Sequence, residues 1–266
     1  MTFAILFALF AWWFSTGIIL FIDQLPRRTH LVSGFLVTLV AGAAFFGLGW
    51  AAGETSSLGV YLAFVCALVV WAWHELTFLL GWVTGPRRSP CPPGLNGWPR
   101  FRAATEVVIH HELAIALTAL IVIALGWGGP NQVGAWTFGV LWVMRISAKL
   151  NVFLGVRNLT EEFIPAHLEY MKSYFRRRRS NPLMPISITA AVGTVVLLLR
   201  SNLGVETTEA ARIGTTLVAT MLGLAALEHL LLVLPVPDAL LWRWALKAAE
   251  LRGGAAPVVP APRPPA

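Results

Sequence analysis

The chain has 266 residues, of which 57% are hydrophobic and only 12% are charged. A soluble domain of this length carries about twice that charged fraction, so the composition excludes an ordinary soluble protein and predicts a polytopic membrane protein. The formal net charge of +7 would suggest nucleic acid as a partner for a soluble chain. Here the basic residues fall in loops on one side of the predicted membrane, so topology explains them and no nucleic acid is needed.

Seven apolar runs are long enough to cross a bilayer, since a spanning helix needs about 20 mostly apolar residues. They cover residues 3–22, 31–52, 58–83, 104–127, 133–156, 183–200 and 209–234. The first run has no basic segment before it and no small-residue cleavage site after it, so we interpret it as an uncleaved anchor. The sequence therefore predicts an all-α bundle of seven transmembrane helices over residues 1–235.

The loops between these runs alternate in charge. The first, third and fifth loops contain Lys or Arg, including Arg27, Arg28, Arg87, Arg88 and the run Arg176, Arg177, Arg178 and Arg179, whereas the second and fourth contain none. The positive-inside rule then predicts an outside N-terminus and a cytoplasmic C-terminus in a multi-pass membrane protein. The four consecutive arginines indicate binding to anionic lipid at the membrane surface, with an acidic partner protein as the second interpretation.

Three segments lie outside the predicted spans. Residues 157–182 are predicted to form a cytoplasmic loop with an interfacial helix, for which Thr160 could be the N-cap. Residues 236–252 alternate Leu and Trp with Arg and Lys, which predicts an amphipathic helix lying on the cytoplasmic face. Residues 253–266 are rich in Pro and Ala and are predicted to be a disordered tail.

Ionisable residues interrupt four of the predicted spans. Such groups are costly at membrane depth unless they are paired, so they indicate a functional site. The predicted topology puts all of them in the cytoplasmic half of the membrane. This predicted polar cluster comprises His74, Glu75, Glu106, His110, His111, Glu112, Arg145, Lys149, Glu228 and His229.

The spacing of these residues leaves three interpretations open. Glu106 and His110 are four residues apart, which suits a shared proton or metal, and Arg145 and Lys149 have the same spacing and need an anionic partner. The first interpretation is a network of interhelical ion pairs that only fixes the bundle. The second is a metal site, and the third is a neutral histidine that ligates the magnesium of a chlorophyll-type pigment. The possible metal ligands are Glu106, His110, Glu228 and His229, with Glu162 and His167 from the cytoplasmic loop.

Several stretches of the chain resemble the PuhE family of photosynthetic complex assembly proteins from purple photosynthetic bacteria. They are Trp73-His74-Glu75, residues 85–88, residues 100–104, His111-Glu112 and, above all, residues 142–181. The resemblance implies a role in assembling the reaction centre with light-harvesting complex 1 and in modulating bacteriochlorophyll production. It also implies photosynthetic complex subunits or other assembly factors as partners, beside the lipid bilayer. The location that it implies is a bacterial inner (cytoplasmic or intracytoplasmic) membrane, and it supplies no catalytic residues.

Two functions therefore follow from the sequence. The first is an integral membrane assembly factor for the photosynthetic reaction centre–light-harvesting 1 complex, which handles bacteriochlorophyll or modulates its supply. The alternative is a metal-dependent membrane enzyme acting on a tetrapyrrole or isoprenoid precursor, with Glu106, His110 and Glu228 as metal ligands. In that enzyme Arg145 or Lys149 would hold an acidic group of the substrate. The cofactor stays open between a divalent metal and bacteriochlorophyll.

Overall fold

A computed structural model describes residues 1–159, 161, 164–204, 207–234 and 242–245. Within these residues the chain forms seven long helices, each long and apolar enough to cross a membrane. The predicted all-α architecture with seven spans is therefore confirmed. The helices are α1 (Thr2–Asp23), α2 (Arg27–Ala52), α3 (Ser57–Leu79), α4 (Gly97–Gly126), α5 (Val133–Leu154), α6 (Leu183–Ser201) and α7 (Glu209–Leu231).

Local sequence signals explain where some of these helices begin and end. The side chain of Ser56 accepts a hydrogen bond from the Gly59 N–H at the start of α3, at 3.1 Å. Thr208 accepts from the Ala211 N–H in the same way at the start of α7, at 3.2 Å. Both residues are N-caps, since they satisfy backbone donors that have no partner within the helix. At the other end of α5, Gly155 has a φ of +121°, which glycine adopts without strain.

Helices α1, α3, α5 and α7 run in the same direction. The rings of Phe3 and Phe7 in α1 lie 5.7 and 5.0 Å from the ring of Tyr61 near the start of α3. Contacts between α5 and α7 join their C-terminal halves, where the Ser147 hydroxyl lies 2.9 Å from the ring of His229. The C-terminal ends of the four odd-numbered helices therefore share one end of the bundle. We call it the basic end, because the arginine-containing loops leave from there.

At the opposite end the odd-numbered helices pack tightly. Ala4 and Ala8 of α1 are buried against Val60 and Phe64 of α3 and Leu217 of α7. Small residues at such contacts allow the helix backbones to approach closely, which is how membrane helices gain packing energy. Toward the basic end the helices enclose a cavity whose lining includes charged side chains.

A 3₁₀ helix (Ala166–Tyr174) lies across the basic end. Its residues Leu168, Met171 and Tyr174 are buried in a cluster with Phe78 of α3 and Val107 of α4. This segment belongs to the predicted cytoplasmic loop, and it closes the bundle rather than projecting from it. The predicted helix cap Thr160 lies outside the described residues, as does the candidate ligand Glu162.

The connection between α3 and α4 lies directly on the backbone of α4. A Cβ atom at Gly85 would be 2.2 Å from the Glu106 carbonyl oxygen, so only glycine fits there. The Thr84 carbonyl accepts from the His111 N–H at 2.9 Å, and the Arg87 N–H donates to the Glu106 carbonyl at 3.2 Å. These two backbone hydrogen bonds fix the connection beside α4 and bring Arg87 close to the Glu106 side chain.

The described part of the C-terminal segment, Trp242–Ala245, packs against α1. Trp242 is buried, and its indole N–H donates to the Trp13 carbonyl at 3.0 Å. Trp13 is ten residues before the end of α1 at Asp23, which is about 15 Å along the helix axis. Trp242 and Trp244 pack on aromatic residues of α1. The rest of the predicted helix at 236–252, and the predicted tail at 253–266, lie outside the described residues.

Candidate functional site

The cavity at the basic end has a volume of about 460 Å³. It lies between α1, α3, α5 and α7, with part of α4 as a further wall and the 3₁₀ helix as its floor. Most of its lining is aliphatic or aromatic, and volumes of roughly 300–1,000 Å³ with few polar groups are typical of small-molecule and cofactor sites. The charged and histidine side chains that line it are Glu75, Arg145, Lys149, Glu228 and His229.

Two ion pairs cross between helices beside this cavity. Arg145 Nη2 of α5 lies 2.8 Å from Glu75 Oε2 of α3. One turn further along α5, the Lys149 ammonium donates to Glu112 of α4, and it also lies 5.5 Å from the centre of the Phe78 ring. The two cations share one face of α5 because they are four residues apart. Each of them therefore has the anionic partner that the sequence required.

Each ion pair leaves a buried polar atom without a hydrogen bond from the described residues. Glu75 Oε1, Arg145 Nε and Glu112 Oε2 are buried and have no such partner. A buried carboxylate oxygen needs a donor and a guanidinium N–H needs an acceptor, since leaving either unmade costs about 1–3 kcal/mol. The site can therefore bind a polar group that both donates and accepts hydrogen bonds.

Two histidines lie behind the cavity, between α3 and α4. His74 Nε2 is 2.9 Å from Thr118 Oγ1. His111 is fully buried, and its ring centre is 4.6 Å from that of Phe78 and 6.3 Å from that of His74. Neither ring nitrogen of His111 has a hydrogen-bond partner among the described residues. The two histidines form a buried polar pair that Phe78 separates from the ion pairs.

Glu228 and His229 form the α7 side of the cavity. The indole N–H of Trp12 donates to Glu228 Oε1 at 2.8 Å. His229 Nδ1 is 2.8 Å from the Ala225 carbonyl, one turn earlier in α7. That nitrogen must be the donor, because a carbonyl only accepts. His229 Nε2 lies 2.9 Å from the Ser147 hydroxyl, which donates to the Ser187 hydroxyl. Both residues are held by neighbours in a way that requires no metal.

The predicted pair of Glu106 and His110 lies away from the cavity. Glu106 binds Arg87 at 2.9 Å and Arg102 at 3.3 Å, whereas His110 is exposed on the outer side of α4. His167 is in the 3₁₀ helix and donates from Nε2 to the Leu79 carbonyl at 2.8 Å. The predicted metal ligands are therefore dispersed. Among the residues that the structure describes, no group of three or more His, Cys, Asp and Glu side chains could hold a metal ion.

The protonation of His167 reflects its position between the bundle and the loop. Burial lowers the pKa of its imidazole below the ordinary value, and the nearby Arg27 and His30 lower it further. The hydrogen bond to Leu79 opposes these effects. Neutral His167 is consequently the form that donates to the Leu79 carbonyl at the C-terminal end of α3.

The arginine run contributes both to the fold and to the surface. Arg176 Nη2 is 3.3 Å from Asn96 Oδ1, and Arg177 Nη2 is 2.9 Å from Glu161 Oε1. Arg178 and Arg179 are exposed. The first two arginines thus attach the loop to its neighbours, and the last two leave positive charge on the basic end.

Sequence reasoning missed the tryptophans and the serine that complete the site. Trp12 and Trp242 each fit a membrane-interface aromatic belt, and nothing in a single sequence shows that they meet. Ser147 lies on α5 between Arg145 and Lys149, and its hydroxyl is the partner of His229. The sequence signal that could have identified Ser147 is its position between two charged residues of an otherwise apolar helix.

Comparisons with known proteins place the chain in a family. The family model described as "Protein of unknown function (DUF3623)" matches residues 1–252. The chain is also 38% identical over 248 residues to a Rhodobacter capsulatus protein, with 91% of this chain and 89% of that protein covered. That protein is named "Uncharacterized 30.4 kDa protein in puhA 5'region". No solved structure matches. The chain therefore belongs to the DUF3623 family.

Proposed function

We propose that this chain is an integral membrane assembly factor for the photosynthetic reaction centre–light-harvesting 1 complex, and that it handles bacteriochlorophyll or modulates its supply. The name of the Rhodobacter capsulatus relative, which refers to the puhA 5' region, supports the resemblance to the PuhE family. In this proposal the protein lies in the bacterial inner membrane with its basic end toward the cytoplasm, as the positive-inside rule predicts.

The single observation that carries the pigment-handling part is the cavity between the odd-numbered helices. It is mostly apolar, has a volume of about 460 Å³, and lies at the depth of the membrane-spanning helices. A bacteriochlorophyll or a precursor combines a large apolar body with a few polar groups. The cavity offers apolar walls with the Glu75–Arg145 pair on one side, which is the chemistry such a molecule needs.

The basic end is the surface that we assign to partners. Arg178 and Arg179 are exposed there, where they can attract anionic lipid or the acidic surface of a photosynthetic complex subunit or another assembly factor. The structure gives the alternative of a metal-dependent enzyme no support, because its candidate ligands have other partners. Arg87 donates to the Glu106 carboxylate, and Trp12 donates to the Glu228 carboxylate.

Filling the cavity tests this function in a purple photosynthetic bacterium that lacks its own member of the family. Ala148 lines the cavity, so Ala148→Phe should restore less reaction centre–light-harvesting 1 complex than the unmodified chain does. Ala190 is exposed on the outer side of α6, and Ala190→Phe is the matched control that should restore the complex fully. Membrane absorption spectra give the complex yield, and solvent extraction gives the total bacteriochlorophyll.

Two outcomes of these measurements would contradict the proposal. A deletion strain with normal complex yield and normal bacteriochlorophyll would overturn the function as a whole. If Ala148→Phe restored the complex as well as Ala190→Phe did, while both proteins accumulated equally in the membrane, the cavity would have no part in pigment handling.

A further inference from the structure

The cavity has a side wall made by the C-terminal segment rather than by a spanning helix. Trp242 lines the cavity between α1 and α7 and has only 6% of its surface exposed. Its ring lies 5.4 Å from that of Trp12, in an edge-to-face arrangement. Trp12 in turn donates to Glu228 of α7. The two tryptophans therefore fill the space that α1 and α7 leave open toward the basic end.

This wall is at the depth of the bilayer. The indole N–H of Trp242 binds the Trp13 carbonyl, about 15 Å along α1 from the end of that helix at Asp23. The next aromatic residue, Trp244, is 38% exposed and stacks on Phe14, with the ring planes 9° apart. Trp242 thus faces the cavity, whereas Trp244 faces the membrane surroundings of α1.

A glycine on α1 determines where the segment sits. A Cβ atom at Gly17 would lie 2.2 Å from the ring of Trp244. Any larger residue at this position must displace the tryptophan, because the ring occupies the volume of the missing side chain. Among the described residues, the contact combines this notch with a hydrogen bond and three aromatic pairs. A peripheral contact can open locally without unfolding the bundle.

We propose that Trp242 closes a lateral portal between α1 and α7, through which an amphiphile dissolved in the bilayer enters the cavity. Among the described residues, packed side chains cover both ends of the bundle. Leu168, Met171 and Tyr174 are buried across the basic end, and Ala8, Phe64 and Leu217 pack at the opposite end. The entering molecule would place its polar group near the buried Glu75 Oε1 and Arg145 Nε and its apolar body against the tryptophans. The inference relies on the proposed function only in taking this cavity as the ligand site.

The closure predicts how a thiol inside the cavity reacts. Ala72 lines the cavity, so Ala72→Cys in a chain with Cys66 and Cys91 changed to alanine reports on access. In proteoliposomes, pyrenylmaleimide reaches the protein from the lipid phase, whereas a charged methanethiosulfonate reaches it from water. Trp242→Ala should raise the pyrenylmaleimide labelling rate at least about tenfold, which corresponds to about 1.4 kcal/mol in the free energy of opening. The methanethiosulfonate rate should stay unchanged.

Two further variants make the result specific. Gly17→Leu should accelerate labelling from the lipid phase in the same direction, because it displaces the segment from the α1 side without changing the cavity lining. Trp136 is exposed near the start of α5, and Trp136→Ala should have no effect. Leu197 is 66% exposed on α6, so the labelling rate of Leu197→Cys reports the pyrenylmaleimide concentration in the bilayer and serves as the reference for every variant.

Either of two results would overturn the portal. One is a pyrenylmaleimide rate at position 72 that neither Trp242→Ala nor Gly17→Leu changes. The other is a methanethiosulfonate rate that rises as much as the pyrenylmaleimide rate, since the opening would then lead to water. The assay needs no pigment and no photosynthetic complex. A failure of the portal is therefore distinguishable from a failure of the proposed function, which the deletion strain reveals.

Discussion

Replacing Arg145 by Met should destabilise the bundle more than replacing both Arg145 and Glu75. The single change leaves a carboxylate on α3 without the guanidinium that lies 2.8 Å from it. The double change, Arg145→Met with Glu75→Gln, removes the charge as well as its partner. The comparison therefore separates the cost of an unpaired buried charge from the loss of packing around Arg145.

The exposure of the two side chains sets the magnitude. Breaking a fully buried ion pair by removing one partner costs about 3–5 kcal/mol, whereas an exposed pair contributes about 0–1 kcal/mol. The Glu75 side chain is 12% exposed and that of Arg145 is 41% exposed. Because the pair is only partly buried, we expect a value between these two ranges, about 2 kcal/mol for Arg145→Met. The coupling energy between the two positions should be at least about 1 kcal/mol.

Unfolding by SDS in mixed micelles gives the free energies for the cycle, which needs the parent, both single variants and the double variant. A matched control is the pair of Lys172 and Glu169 in the 3₁₀ helix, at 3.4 Å, where Glu169 is 69% exposed. Its coupling energy should be close to zero, within about 0.5 kcal/mol. If the free-energy changes of Arg145→Met and Glu75→Gln simply added in the double variant, as expected for the control pair, the Glu75–Arg145 ion pair would not hold α3 and α5 together.

Three other predictions concern the connections and the topology. Gly85→Ala should lower the free energy of unfolding by about 1–3 kcal/mol, because the new Cβ atom would meet the α4 backbone. The control is Gly193→Ala on α6, where the glycine has open space around it. By the same SDS unfolding assay this change should be neutral or slightly stabilising. Because the pKa of His167 is lowered in the folded protein, the unfolded state binds more protons, so stability should fall as the pH falls below about 6.5. His167→Gln should weaken that dependence in melting curves from pH 7.5 to 5, and an unchanged dependence would contradict the assignment. In spheroplasts of a Cys91→Ala strain, an impermeant maleimide should label Thr55→Cys but not Ser89→Cys, and the reverse pattern would invert the topology.

The number and extent of the spans could be predicted because the bilayer imposes a length on each helix. The apolar run at 58–83 corresponds to α3 and the run at 209–234 to α7, with differences of a few residues at their ends. The contact of Trp242 and Trp244 with α1 could not be predicted, because an alternating Leu and Trp pattern specifies an amphipathic segment but not the surface that it covers. The space for the Trp244 ring depends on Gly17, which lies more than two hundred residues earlier in the chain.

The pairs that the predicted polar residues form could not be predicted from the sequence. Sequence spacing fixes the level of a residue along its helix, whereas its partner depends on how each helix is rotated. His111 and Glu112 are adjacent in sequence, yet His111 packs on Phe78 and Glu112 accepts from Lys149. Glu106 and His110 share a helix face as predicted, but Arg87 binds Glu106. The reason is the close approach of the preceding connection to α4, a tertiary contact that the sequence does not reveal.

The loop after α5 explains why the odd-numbered helices can end apart from one another and still be stable. The last carbonyl groups of a helix have no partner within it, and four parallel helices place their negative ends together at the basic end. Residues from the loop satisfy three of these ends: His167 donates to the Leu79 carbonyl of α3, Asn181 to the Gly155 carbonyl after α5, and Asn158 to the Leu231 carbonyl of α7.

Because these side chains come from the loop, the helix ends need not converge to satisfy one another. The loop therefore stabilises the separation of the helices that creates the cavity, and Arg145 and Lys149 add positive charge where the helix dipoles are negative. A change at Asn158 or Asn181 should consequently alter the cavity as well as the stability. The loop at the basic end and Trp242 at the side therefore both shape the cavity.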